Sequence, residues 1–408
     1  MIMEGKNHKR LKILFLPAWY PSRIHPISGI FIKKHAVAVS RYCDVAVLYV
    51  TPYSNLKDKN YDIEYLEEDG ISTVRVYCSN TIKIPVIRIF SQMVFQYLAM
   101  YQGLMLIKEK FGIPDIIHVN VVSPSIILVG LLLIFKKIKG IPYVVTEHWS
   151  GYTKEDNRYN LHSAFLKKYL VKIIFKKSCA VITVSNFLLN SLKEHRLISN
   201  RCFVVPNAIN IPNLVPKKKD ISEKIKILTI SLLSNEQKNI SGLIKAFEKI
   251  ASKYNNIELH IVGDGSNKEN LINIAKGTGL LNKHIFFHGY IPNSELWKYF
   301  HEANFFVLNS NFETFSVATA EALAHGVPVV VTKCGGPQEF VTGEVGVLVE
   351  RQNEDSLVEG IKYMIENWHK YDPVKLHNYA MNRFSYEKVG KLILNVYETV
   401  LNKKNGIS

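Results

Sequence analysis

Two carboxylates eight positions apart, Glu313 and Glu321, stand in the stretch ANFFVLNSNFETFSVATAEALAHGVPVVVTKCGGPQEFVTGEVGVLVE, residues 303–350. A carboxylate accepts hydrogen bonds from hydroxyls, and a fixed negative charge stabilises a cation developing beside it. Between them, the run from Ser316 is rich in helix formers, and Gly326 with Pro328 supplies a stop. The first turn of that helix leaves the backbone N–H groups of Phe315, Ser316 and Val317 without internal acceptors, a ready cradle for an anion such as a diphosphate. Gly335-Gly336-Pro337 reads as a second cradle, because glycine permits close approach and proline can open a helix. Glu-x7-Glu by itself far more often marks ordinary solvated helix surface; the full string is the stronger signal.

The elements around these residues fix their places. Residues 305–308 form an apolar run ending in Asn309-Ser310-Asn311, as a buried parallel strand does where it empties into a polar loop. Glu313 then lies on the loop with Thr314, and Glu321 on the helix. Apolar runs at 12–16, 45–50, 71–76, 115–120, 143–147, 180–185 and 203–206, then at 226–230, 258–262, 285–287, 304–308 and 328–331, alternate with helix-like segments. That alternation predicts parallel, doubly wound sheets. At 408 residues the chain divides naturally into two such domains.

Charge divides unevenly as well. Residues 1–205 hold 28 Lys+Arg against 14 Asp+Glu, whereas 206–408 hold 23 against 21. A basic half can meet nucleic acid, an anionic membrane surface or an acidic substrate, or be plain solvated lysine. No zinc-finger spacing or RNA-binding aromatic motif accompanies it, so nucleic acid is excluded first. Lys83, Arg88, Lys167, Lys168, Lys172, Lys176 and Lys177 are the leading membrane contacts, because 168, 172 and 176 share a helix face. The run 82–110, with Phe90, Val94, Tyr97, Leu98 and Tyr101 on one face, is either core or an interfacial surface. Five scattered cysteines, no secretory signal and no apolar stretch long enough to span a bilayer lead to the expectation of a cytoplasmic protein. No Asp-x-Asp motif for a catalytic metal is found.

Two histidines end apolar strands, His118 and His148, where open α/β sheets bind ligands. His148 precedes Trp149-Ser150-Gly151-Tyr152 and is the better functional candidate; a structural role fits His118. Gly29, in a loop after the first strand, either admits a ligand to the backbone or simply makes a turn.

The order and spacing of E-T-F-S-x4-E, G-V-P-V-V, G-G-P-Q-E and V-G-V-L-V resemble family 4 glycosyltransferases, from about residue 11 to residue 384. The resemblance implies a GT-B fold: an acceptor-side domain at 1–207, a nucleotide-sugar domain at 208–384, and a helix at 385–403 crossing back to the first. It implies retaining transfer from a UDP- or GDP-sugar to a saccharide or lipid-linked saccharide, without cofactor or metal; the expected cytoplasmic character and the basic first half favour a lipid-linked acceptor at the inner membrane face. By the same resemblance Gly29 lies beside the donor, His148 reaches the transferred sugar, Lys238 binds diphosphate, Gly289 and Tyr290 meet the base, and Glu321 meets the ribose. Glu313 would hold sugar hydroxyls and stabilise a cationic transition state, acting either as nucleophile or beside an attack from the departing phosphate's own face. Two positions depart from the pattern: Leu232 stands where an arginine belongs, and Ser316 where glycine is usual. A GT-B epimerase and an inactive binding partner are the rival readings.

Overall fold

The computed structural model describes residues 10–56, 60–79, 85–122, 140–162, 165–213, 216 and 224–404, with side chains except at 85–93, 161, 162, 165–167, 403 and 404. Eight strands build the first sheet: β1 (Lys12–Pro17), β2 (Asp44–Tyr53), β3 (Tyr61–Glu68), β4 (Ile71–Ser79), β5 (Ile116–Asn120), β6 (Tyr143–Glu147), β7 (Ala180–Thr183) and β8 (Cys202–Val204), in the order β3-β4-β2-β1-β5-β6-β7-β8. The central strands are buried on both faces, which is why they read as continuous apolar runs. Neighbours pair in parallel except β3, which returns antiparallel to β4 through Asp69-Gly70, both at positive φ. This hairpin escaped the sequence reading. Its Asp-Gly turn is a hairpin signal, but β3 is a polar, largely exposed edge strand without an apolar run.

The second sheet is wholly parallel, in the order β11-β10-β9-β12-β13-β14. Its strands are β9 (Ile225–Ile230), β10 (Ile257–Val262), β11 (Ile285–Gly289), β12 (Phe305–Leu308), β13 (Val329–Thr332) and β14 (Gly346–Val349). Helices cover both faces of each sheet and bury an apolar cluster on every face. The expected α/β architecture of two doubly wound domains is therefore present.

The last helix, Tyr386–Lys404, packs on the first domain. Its Val389, Ile393, Val396, Tyr397 and Val400 join Ile32, Ala36 and Val39 of helix Ile30–Ser40 in one buried cluster. Just before it, the amide of Ile209 bonds the carbonyl of Phe384 at 2.9 Å, so the connection between the domains is pinned to the end of the second. Among the described residues no helix is long and apolar enough to cross a membrane. Lys83 lies outside the described residues, as do the side chains of Arg88, Phe90 and Lys167.

Candidate active site

The loop after β12 carries Glu313, and nearly every side of it is held. Its amide donates to the carbonyl of Cys334 at 2.8 Å, and its carbonyl accepts from the amide of Gly336 at 2.9 Å. One oxygen of the side chain, Oε1, accepts from Ser310 Oγ at 2.8 Å and from Lys238 Nζ. The carboxylate is 6% exposed, and Lys238 is its countercharge. Lys238 ends the single turn Asn235–Lys238, after which Asn239 takes a left-handed conformation. A buried carboxylate left unpaired would be strongly destabilising, so lysine and glutamate hold each other in place.

Gly335 and Gly336 have a first duty within this loop. A Cβ on Gly336 would lie 2.0 Å from the carbonyl oxygen of Thr314, and one on Gly335 would lie 2.7 Å from that of Glu313. Only glycine lets the turn lie against residues 313–315. The chain then makes a single 3₁₀ turn, Gly336–Glu339. The expected second helix start is thus corrected to one turn, since Phe340 and Val341 leave it for the core instead of continuing the spiral.

Ser316 sits at φ 68 and caps helix Val317–Ala324, its hydroxyl accepting from the amide of Thr319. The left-handed backbone explains why glycine would be easier here, and the cap is what serine adds. Among the described residues the amides of Phe315, Ser316 and Val317 donate to no protein acceptor. The Phe315 ring is buried against Phe340 and Phe384.

Glu321, on the same helix, pairs across the domain boundary with Lys34 of helix Ile30–Ser40, Nζ to Oε1 at 2.6 Å. Both line a cavity of about 590 Å³ with Tyr386, Trp297 and Asn210. Burial pulls the Lys34 ammonium down, but the charge and hydrogen bond of Glu321 outweigh it and the net shift is upward.

On the first domain, His148 follows β6 and is 6% exposed, with its ring 4.7 Å from Phe31 and 5.2 Å from His35. Both its ring nitrogens lack a well-formed hydrogen bond, as does Oδ1 of Asn207. Burial holds its pKa well below the usual histidine value, helped by His35 and His118 and weakly opposed by Asn207. Its carbonyl accepts from Thr314 Oγ1 at 3.1 Å, so the loops of Glu313 and His148 touch. His118 is held at Nδ1 by Tyr397 and at Nε2 by Thr146, a structural position in the core. Gly29, at φ 66, precedes helix Ile30–Ser40, and a Cβ there would lie 2.1 Å from the carbonyl oxygen of Trp19. The turn therefore requires this glycine before any ligand does.

Gly289 and Tyr290 stand at the end of β11, the outermost strand, three places from β12; Tyr290 is half exposed. Leu232, at the family's arginine position, projects outward at 60% exposure. Three residues escaped the sequence reading. Lys34 gave no signal, being 287 positions from its partner. Glu147 accepts from the amides of Val122, His148 and Trp149 at 3.0–3.1 Å, and burial pushes its carboxyl up to about 7 against those bonds. Glu339 ends the Gly-Gly-Pro-Gln-Glu string and reaches the other domain, accepting from Asn186 N at 2.9 Å and Phe187 N at 2.6 Å at the start of helix Asn186–Glu194. Among the described residues no group of three or more His, Cys, Asp or Glu could hold a metal ion.

Residues 39–212 match the model of Glycosyltransferase Family 4, and residues 211–383 match that of Glycosyl transferases group 1. The chain belongs to the family 4 glycosyltransferases. An uncharacterized glycosyltransferase of Methanocaldococcus jannaschii is 27% identical over 96% of this chain and 99% of its own length. The putative teichuronic acid biosynthesis glycosyltransferase TuaC of Bacillus subtilis is 26% identical over 96% and 99%. The N-acetylgalactosamine-N,N'-diacetylbacillosaminyl-diphospho-undecaprenol 4-alpha-N-acetylgalactosaminyltransferase of Campylobacter jejuni is 32% identical over 51% of this chain and 56% of its own length. Among solved structures, sucrose-phosphate synthase of Thermosynechococcus elongatus superposes with a TM-score of 0.72 at 18% identity, covering 97% of this glycosyltransferase and 100% of that chain. HepE of Anabaena, solved with UDP, gives 0.69 at 17% identity, covering 95% and 100%. Both share the GT-B fold of this glycosyltransferase.

Proposed function

We propose that this glycosyltransferase moves a sugar, with retention at its anomeric carbon, from a UDP- or GDP-sugar to a saccharide or lipid-linked saccharide in cell-surface polysaccharide synthesis. One observation carries the reading: Lys238, from the turn after β9, forms a buried pair with Glu313, whose loop ends at the amides of Phe315, Ser316 and Val317, which donate to no protein acceptor among the described residues. Those amides and Lys238 would receive the charge left on the nucleoside diphosphate when the bond to the anomeric carbon breaks. Glu313 would stabilise the cationic sugar, and Glu321 would accept hydrogen bonds from ribose. The acceptor hydroxyl bonds to the anomeric carbon and passes its proton to a phosphate oxygen. Residues of this chain suffice for each duty, so no metal is invoked. HepE, solved with UDP and with UDP-glucose, supports uracil as the base, and the names of TuaC and the Campylobacter relative support a surface-polymer or lipid-linked acceptor.

We place the protein on the cytoplasmic side, docking to an anionic membrane surface through helix Phe165–Lys177. Lys172, Lys176 and Lys177 are exposed there beside Tyr169, 56% exposed. A panel of UDP- and GDP-sugars, screened by thermal stabilisation and then by NMR of the transfer product, tests the function. Stabilisation by one donor and a product that keeps its anomeric configuration are expected. Inverted configuration, or epimerised donor without acceptor, would overturn it.

A further inference from the structure

Glu321 and Lys34 face each other from different domains, and their side chains are 20% and 13% exposed. Lys34 occupies Oε1 alone; among the described residues no group donates to Oε2. The neighbouring Lys33, one position earlier on the same helix, instead pairs with Glu68 at 3.1 Å and Asp69 at 3.0 Å inside its own domain. Lys34 thus turns away from its own domain's acids toward a carboxylate at the wall of the interdomain cavity. A glutamate side chain turns about three bonds, and a ribose diol needs one oxygen presented in a single direction. An ion pair on the other oxygen supplies that restraint, and it also spares the half-buried carboxylate from standing as a bare charge.

We propose that Lys34 is a positioning residue for donor recognition: it holds Oε1 of Glu321 so that Oε2 is presented to the ribose hydroxyls. Nucleoside recognition by the second domain then depends on a side chain of the first, and the site is complete only with the domains together. This rests on the reading of Glu321 as the ribose carboxylate.

Calorimetric titration of the full chain with UDP and 2′-deoxy-UDP, or with GDP and 2′-deoxy-GDP if guanine is the base, tests it. Glu321→Gln should bring the ribo and deoxy affinities together. Lys34→Met should weaken the ribonucleotide about tenfold, leave the deoxynucleotide nearly unchanged, and add nothing to Glu321→Gln in the double variant. Lys34→Arg should restore most of the difference. If Lys34→Met does not fold, Lys34→Gln, which keeps a donor without the charge, takes its place. Equal weakening of both nucleotides by the Lys34 variant, or of neither, would overturn the inference while Glu321→Gln still erases the discrimination. If Glu321→Gln leaves the discrimination intact, the ribose reading itself falls and Lys34 with it.

Discussion

The two domains bring different electrostatics to one cleft. The second domain presents fixed charge and open amides: Lys238 against Glu313, Glu321, and the start of helix Val317–Ala324. The first adds Lys34, paired with Glu321, and keeps three histidine rings neutral and buried behind its face. His35 is pushed down to about 4 by burial, offset in part by its bond to the carbonyl of Pro206, and His118 and His148 are held well below the usual value. Charge suits a diphosphate, and buried neutral groups behind it lower the local dielectric and so strengthen electrostatic contacts. The contrast teaches that fixed charge is concentrated on the second domain's side of the cleft, with Lys34 as the first domain's contribution to it.

The largest expected effect comes from the charged side. Glu313→Gln should lower turnover by about a hundredfold or more while changing nucleoside diphosphate affinity only a few-fold, because its charge matters most when the sugar becomes cationic. Steady-state kinetics with direct titration separates the two, and equal losses would erase the division of labour. The neutral side makes the next prediction. Between pH 6.5 and about 4 the unfolded chain protonates His35 while the folded one does not, so stability falls with pH by on the order of 3 kcal/mol for that group alone. Glu147, raised to about 7, acts in the opposite sense between the usual carboxylate range and 7, but three histidines outweigh one carboxyl. Variants keeping only Trp149 or only Trp368 report each domain by fluorescence. The first should lose its midpoint earlier on acidification, and coincident midpoints at every pH would break the comparison.

Smaller effects lie where the domains meet and at the surface. Glu339→Ala removes the acceptor of the Asn186 and Phe187 amides in the first turn of helix Asn186–Glu194, whose cap Ser185 stays in place, and should cost about 1–2 kcal/mol of stability, Glu339→Gln less, with nucleotide affinity unchanged. Thermal melts and a UDP titration of both variants check this; lost nucleotide affinity would place Glu339 in the donor site instead. Last, the protein should cosediment with anionic vesicles and release at high salt. Lys172→Gln with Lys176→Gln should weaken this by about 1 kcal/mol per charge. Equal recovery with neutral vesicles would leave those lysines as solvated surface.

The grouping of the candidate residues around Glu313 was legible in the sequence, because it is local. Glu313, Ser316 and Gly336 lie within one loop, helix, strand and turn, and apolar runs announced the strands of both sheets except β3 and β14. Contacts that cross between domains were illegible, since no spacing relates Lys34 to Glu321 or Glu339 to Phe187. Gly29 and Gly335 show a second limit. A glycine reads the same whether it admits a ligand or a carbonyl of its own chain, and here the close neighbours are Trp19 and Glu313. Strand β3 was missed for a third reason: an exposed edge needs no apolar pattern.

Lys238 offers the most direct test of the central claim, that the second domain holds a nucleoside diphosphate with paired charge. Titrating wild type and Lys238→Ala with UDP and uridine, or with GDP and guanosine, compares phosphate recognition with nucleoside recognition in one experiment. Lys238→Ala should weaken the diphosphate by tenfold or more and leave the nucleoside within about twofold. Equal weakening of both, or undiminished diphosphate binding, would contradict it.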